Sequence, residues 1–108
     1  MKPLYYVAHP FGGDAENKKK IEQIIIELMT EFPDKDFLSP IHASDFAYNL
    51  IPYVEGMDWC LNVLDRCDAL ILCDCWETSK GCLMEYAYAI AKDKPIFMFD
   101  KKNKMKQL

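Results

Sequence analysis

No apolar run in this sequence approaches the roughly 20 residues that a membrane-crossing helix needs, so no span is expected. The opening stretch, Met1 to Ala8, is halted by His9-Pro10 and is too brief for the apolar segment of a secretion signal, which makes the cytoplasm the expected location. Repeats, linkers and low-complexity segments are missing as well. The lysines gather at Lys18 to Lys20 and Lys101 to Lys106 without a stripe of interleaved aromatics, and the net charge is −4, so a nucleic-acid groove is not expected. Five cysteines (Cys60, Cys67, Cys73, Cys75 and Cys82) are odd in number, and no His or Cys pair stands near them at zinc spacing. Reduced thiols are therefore expected, with neither a disulfide framework nor a metal.

What is present fits one globular domain. The chain has 108 residues, 51% hydrophobic and 28% charged, enough for a single core and little more. Residues 1–100 read as that domain and residues 101–108 as a lysine-rich, frayed tail. Leu4 to Ala8 is a short apolar run ended by His-Pro and a Gly-Gly turn, which predicts a buried strand. Asp14 is placed to cap a helix reaching Phe32, with Ile21, Ile25, Leu28 and Phe32 inward and Pro33 ending it. Asp36 to Ser39 is a second strand stopped at Pro40, and Ser44 is placed to cap a brief helix before Pro52. From Pro52 to about Arg66 a helix is expected with Val54, Met57, Leu61 and Leu64 as its inward stripe. Asp68 to Cys73 and Pro95 to Phe99 are two more strands, with a helix capped by Ser79 between them. This alternation predicts an α/β fold whose parallel sheet is covered on both faces by right-handed crossovers. Ligands of such sheets bind beyond the C-terminal strand ends, here His9 to Gly13, Ser39 to His42 and Asp74 to Ser79.

The helix from Lys80 to Ala91 is itself defined by a lack. Between Lys80 and Lys92 its single charge is Glu85. Leu83, Ala87, Ile90 and Ala91 share one face, and Glu85 lies almost opposite with Gly81, Cys82, Tyr88 and Ala89 around it. A helix without a solvated face is covered on both sides, once by the sheet and once by a subunit, a lid or a cleft wall. Glu85 is then desolvated, which raises its pKa as a catalytic carboxyl often requires. The plainer alternative is a glutamate that reaches water or a lysine at the helix edge.

Three further features converge on the same rim. Ser79 and Gly81 open the helix with free backbone N–H groups suited to phosphate or another anion, although a simple Ser cap accounts for Ser79 alone. Asp58 stands at the margin of the preceding helix's apolar stripe, either reaching a cleft or solvated. Tyr5 and Tyr6 alternate across the first strand, and a buried phenol needs a partner such as a carboxylate. Two carboxylates and a phenol around an anion site suit glycosyl chemistry.

With Tyr6-Val-Ala-His-Pro10, Ser39-Pro40, Asp58, the Cys67-Asp-Ala-Leu-Ile-Leu72 strand, and Ser79-Lys-Gly81-Cys-Leu-Met-Glu85 continuing to Pro95, the sequence resembles the nucleoside 2-deoxyribosyltransferase superfamily. The resemblance runs from Tyr5 to about Phe99. It implies a flavodoxin-like three-layer sandwich with a four- to five-stranded parallel sheet, and cleavage or transfer at the N-glycosidic bond of (deoxy)nucleosides or their 5′-monophosphates. In that chemistry Glu85 attacks C1′, Asp58 assists proton transfer to the departing base and Tyr6 orients the glutamate. No cofactor is implied, and a homodimer or higher homo-oligomer completes the site. A serine six residues before the nucleophile, here Ser79, is similar to the monophosphate N-glycosidases, whereas the free-nucleoside transferases carry aspartate there. The first loop, with His9, Pro10 and Phe11, lacks the arginine of those glycosidases, which leaves His9, Lys80 and His42 as cationic candidates. Two other readings stay open: a non-catalytic module binding a nucleotide or ADP-ribose-like ligand, and an interaction subunit with Glu85 at a dimer interface.

Overall fold

A computed structural model describes residues 1–108. Five strands form one sheet: β1 (Leu4–Ala8), β2 (Asp36–Leu38), β3 (Ala69–Leu72), β4 (Ile96–Asp100) and β5 (Lys104–Gln107). Their spatial order is β2-β1-β3-β4-β5. The first four run parallel, and β5 returns antiparallel along β4 from Asp100↔Lys104 to Phe97↔Gln107. With helices α1 (Ala15–Glu31), α2 (Pro40–Ser44), α3 (Tyr53–Asp65) and α4 (Lys80–Ala91) flanking the sheet, this is a flavodoxin-like α/β fold.

Strand periodicity divides the core into two layers. Tyr6, Ala8, Leu70 and Leu72 point to the α3–α4 side, where Leu64, Cys67, Cys82 and Ala89 meet them. Val7, Ile71 and Cys73 point to the other side, against Ile21 and Leu28 of α1 and Ile41 of α2. Tyr5 and Tyr6 accordingly take opposite faces. Tyr5 packs between Phe37 and Phe97, with ring centroids 5.9 and 5.6 Å away.

The caps explain the helix starts. The Asp14 carboxylate accepts from the N–H of Glu16 at 2.9 Å, and the Ser79 hydroxyl accepts from that of Cys82 at 3.2 Å. Such a cap is worth about 1 kcal/mol.

Three expectations change. Ser39, not Ser44, caps α2 by accepting from the N–H of His42, so the helix begins at Pro40 and passes into a tight turn at Asp45–Ala47. Pro40 ends β2 and starts α2, because its fixed φ suits a first helical residue. Val54 is 77% exposed and leaves the inward stripe of α3, which instead uses Met57, Cys60, Leu61 and Leu64. The tail from Lys101 is not frayed. It belongs to the domain as an edge strand, held by the β4 ladder and by Met105, which packs on the α1-side core. Its lysines suit an edge, since they discourage further strand pairing.

No helix is long and apolar enough to cross a membrane. All five cysteines are free thiols.

Candidate active site

In the order β2-β1-β3-β4, the chain leaves β1 towards one side and β3 towards the other, so the loops after these two strands diverge. A cleft of about 700 Å³ opens at that switch point, within the roughly 300–1,000 Å³ usual for small-molecule sites. Its sides are the β1 loop (His9 to Gly12), the α2–α3 segment and the first turn of α4.

Glu85 lies on its floor, 5% exposed. The hydroxyl of Tyr6, fully buried in β1, donates to Glu85 Oε2. Burial drives the Glu85 pKa from 4.5 up to about 7, and the Tyr6 hydrogen bond, which favours the charged form, opposes that rise. The same burial raises the Tyr6 pKa, with the Glu85 charge adding to it, so the phenol keeps its proton and remains the donor. Cys60 of α3 completes the cluster. Desolvation and the Glu85 charge push its thiol to about 11, which makes it a protonated neighbour and not a nucleophile.

The first turn of α4 forms one wall. Ser79 Oγ takes the N–H of Cys82 and the Ser79 carbonyl takes that of Leu83 at 2.9 Å, which leaves the Lys80 and Gly81 N–H groups without helical acceptors. Gly81 owes its identity to helix packing. A Cβ there would stand 3.3 Å from both Met57 Sδ and Tyr53 Oη, so glycine lets α4 close on α3.

α4 turns Cys82, Glu85 and Ala89 inward and leaves the Leu83 face outward, with Leu83 43% and Ile90 51% exposed. The carboxylate therefore faces the protein's own core and cleft, and the apolar face has no cover within the chain.

The sequence-derived site residues separate into two groups. Glu85, Ser79, Gly81, Lys80, His9, Pro10 and Phe11 all line the cleft, and Tyr6 reaches it through Glu85. Asp58 and His42 do not. Asp58 is exposed on α3, which turns Tyr53, Gly56, Met57 and Cys60 to the cleft. His42 lies between Ser39 Oγ and Glu22 Oε2, 2.8 Å from each, and ties α2 to α1. His9 is no cation either. Its Nδ1–H donates to the Pro10 carbonyl at 2.7 Å, and burial lowers its pKa, so it presents a neutral ring. Lys80 is the cationic side chain of the lining.

Sequence reasoning missed Tyr48, Tyr53, Cys60 and Asp45. The 53, 56, 57, 60 spacing is itself a helical stripe, one register step from the 54, 57, 61, 64 stripe that was read. Tyr48 meets Phe11 edge to face at 4.9 Å, making an aromatic flank. Asp45 is engaged by Lys18 at 2.6 Å, which holds its carboxyl below the usual carboxylate range. Glu85 is thus the carboxylate of the cleft without a cationic partner. No cluster of three or more His, Cys, Asp or Glu side chains is arranged to hold a metal.

Fold and site together define an α/β domain with a ligand-sized cleft at the topological switch point, floored by a desolvated glutamate. The chain belongs to the family described as "Domain of unknown function (DUF4406)", whose model matches residues 4–98. No curated protein matches it.

Proposed function

We propose that this protein cleaves or transfers at the N-glycosidic bond of (deoxy)nucleosides or their 5′-monophosphates, with Glu85 as nucleophile. One observation carries the reading: a carboxylate 5% exposed, free of any cation, lies on the floor of a ligand-sized cleft with a buried tyrosine hydroxyl on one of its oxygens. A bare carboxylate held in a desolvated site is suited to meeting an oxocarbenium-like carbon, and the other Glu85 oxygen is free to bond to C1′. As that bond forms, the C1′–N bond breaks and the electron pair leaves with the base, which takes its proton from solvent through the open cleft. Water or a second base then attacks C1′, the bond from C1′ to the Glu85 oxygen breaks to free the carboxylate, and the attacking group loses its proton to solvent. Ser79, the free N–H groups of Lys80 and Gly81, and the Lys80 ammonium supply donors for a 5′-phosphate at the start of α4.

A second reading is a module that binds a nucleotide or ADP-ribose-like ligand without turnover. It is favoured by the position of Asp58, exposed and outside the cleft, which leaves Asp45, held by Lys18, as the only carboxyl of the lining besides Glu85. Base release from deoxynucleosides and their 5′-monophosphates, followed chromatographically for wild type and Glu85→Ala, decides between the two. Release that disappears in the variant supports the enzyme; saturable binding with no release by the wild type supports the module.

The outward face of α4, with Leu83, Met84 and Ile90 exposed, supports a homo-oligomer as the working form. Five free thiols, three of them buried, are in keeping with a reducing compartment such as the cytoplasm.

A further inference from the structure

We infer that Tyr53 is a specificity-determining residue that holds the sugar of the substrate through its hydroxyl. The inference rests on the glycosyl reading above and names the part of the substrate that a specific side chain takes.

Tyr53 opens α3 and lines the cleft. Its Oη stands against the first turn of α4, 3.3 Å from where a Gly81 Cβ would be. No group of the chain hydrogen-bonds it, and of the two cleft tyrosines without such a bond, Tyr48 is engaged edge to face with Phe11 while Tyr53 stands against α4. Burial, with Tyr48 and Glu85 nearby, raises its pKa, so it stays a phenol at neutral pH, able both to donate and to accept. Tyr53 is 46% exposed, so its hydroxyl is open to the cleft and free to exchange water for a ligand group.

The helix fixes which group. Glu85 follows Gly81 by one turn, about 6 Å along the axis, and Ser79 lies about 3 Å further towards the N-terminus. A nucleotide whose C1′ meets Glu85 and whose phosphate meets the start of α4 lays its sugar alongside the Tyr53 and Met57 side chains that cover Gly81. The edge of that sugar faces Tyr53 Oη. On a 2′-deoxynucleoside 5′-monophosphate the 3′-hydroxyl is the free hydroxyl of the sugar, and it is the group the phenol takes. Gly81 has a second consequence here, since a methyl group at that position would crowd the Tyr53 hydroxyl at 3.3 Å.

The test crosses one variant with one substrate group. kcat/KM for base release is measured for wild type and Tyr53→Phe on a 2′-deoxynucleoside 5′-monophosphate and on its 2′,3′-dideoxy counterpart, with melting temperatures alongside. The expected result is a loss of about 5- to 10-fold on the first substrate, that of one neutral hydrogen bond, no loss on the second, and an unchanged melting temperature. Equal effects on both substrates, or none on either, overturn the role of Tyr53 and leave the glycosyl reading standing. No release from either substrate by wild type overturns both.

Discussion

Replacing Glu85 with glutamine should make the protein more stable above neutral pH while removing the proposed base release. The native carboxyl has its pKa raised from 4.5 to about 7 by burial, a difference of roughly 3 kcal/mol between its two protonation states. The sign follows from proton linkage. A raised pKa means that the folded state binds the proton more tightly than the unfolded state, so this stability is full below about 4.5 and is lost as pH rises through 7. Between pH 5 and 8.5 the wild type should lose about 2 to 3 kcal/mol from this group alone. Glutamine keeps an oxygen for the Tyr6 hydroxyl and does not titrate, so its stability should lack that slope. Urea unfolding of both proteins from pH 5 to 8.5 measures the difference, and the contributions of His9 and the surface carboxylates, common to both, cancel. Parallel stability curves for the two proteins would refute the desolvated carboxyl and with it the electrostatic account of the site.

Other outcomes follow from the same contacts. kcat/KM for base release should rise with pH through about 7, because the nucleophile is the ionised form, and in Tyr6→Phe that limb should move to higher pH, because the hydrogen bond restraining the shift is gone. Gly81→Ala should destabilise the fold by about 1 kcal/mol in thermal or urea unfolding: crowding against Met57 Sδ and Tyr53 Oη at 3.3 Å outweighs the better helix propensity of alanine. Light scattering should give the proposed oligomer for wild type and a monomer for Ile90→Glu combined with Leu83→Lys, with melting of the domain little changed. Truncation after Asp100 should lower the melting temperature by several degrees, since it exposes the β4 edge and the core contact of Met105.

The fold was legible because its strands are short apolar runs with unambiguous stops. His9-Pro10, Pro33, Pro40 and Pro95 bound the strands and the first helix, and Asp14 and Ser79 stand at the caps they hold in the structure. The last strand was hidden because Lys104-Met-Lys106 has the composition of a solvated tail. Its single inward residue, Met105, is too weak a signal to set against four lysines nearby. Glu85 was legible because a carboxylate in a charge-free helix must be desolvated somewhere, and Tyr6 because a buried phenol needs an acceptor. Their meeting across 79 residues of sequence is a product of the β1–α4 packing. Asp58 and His42 show where one-dimensional reasoning stopped. Helical spacing places Asp58 at a margin without saying on which side of α3 the cleft opens, and His42 lies near a strand end yet is taken by Ser39 and Glu22. Tyr53 was passed over because a tyrosine at the start of an amphipathic helix reads as ordinary packing until the approach of α4 is seen.

The most direct test of the central claim is turnover of a 2′-deoxynucleoside 5′-monophosphate by wild type and by Glu85→Gln at pH 8, with cooperative unfolding verified for both. Base release by the wild type, and a loss of at least a thousandfold in a variant that is equally or more stable, is the result this account predicts. Comparable release by the two proteins would contradict it.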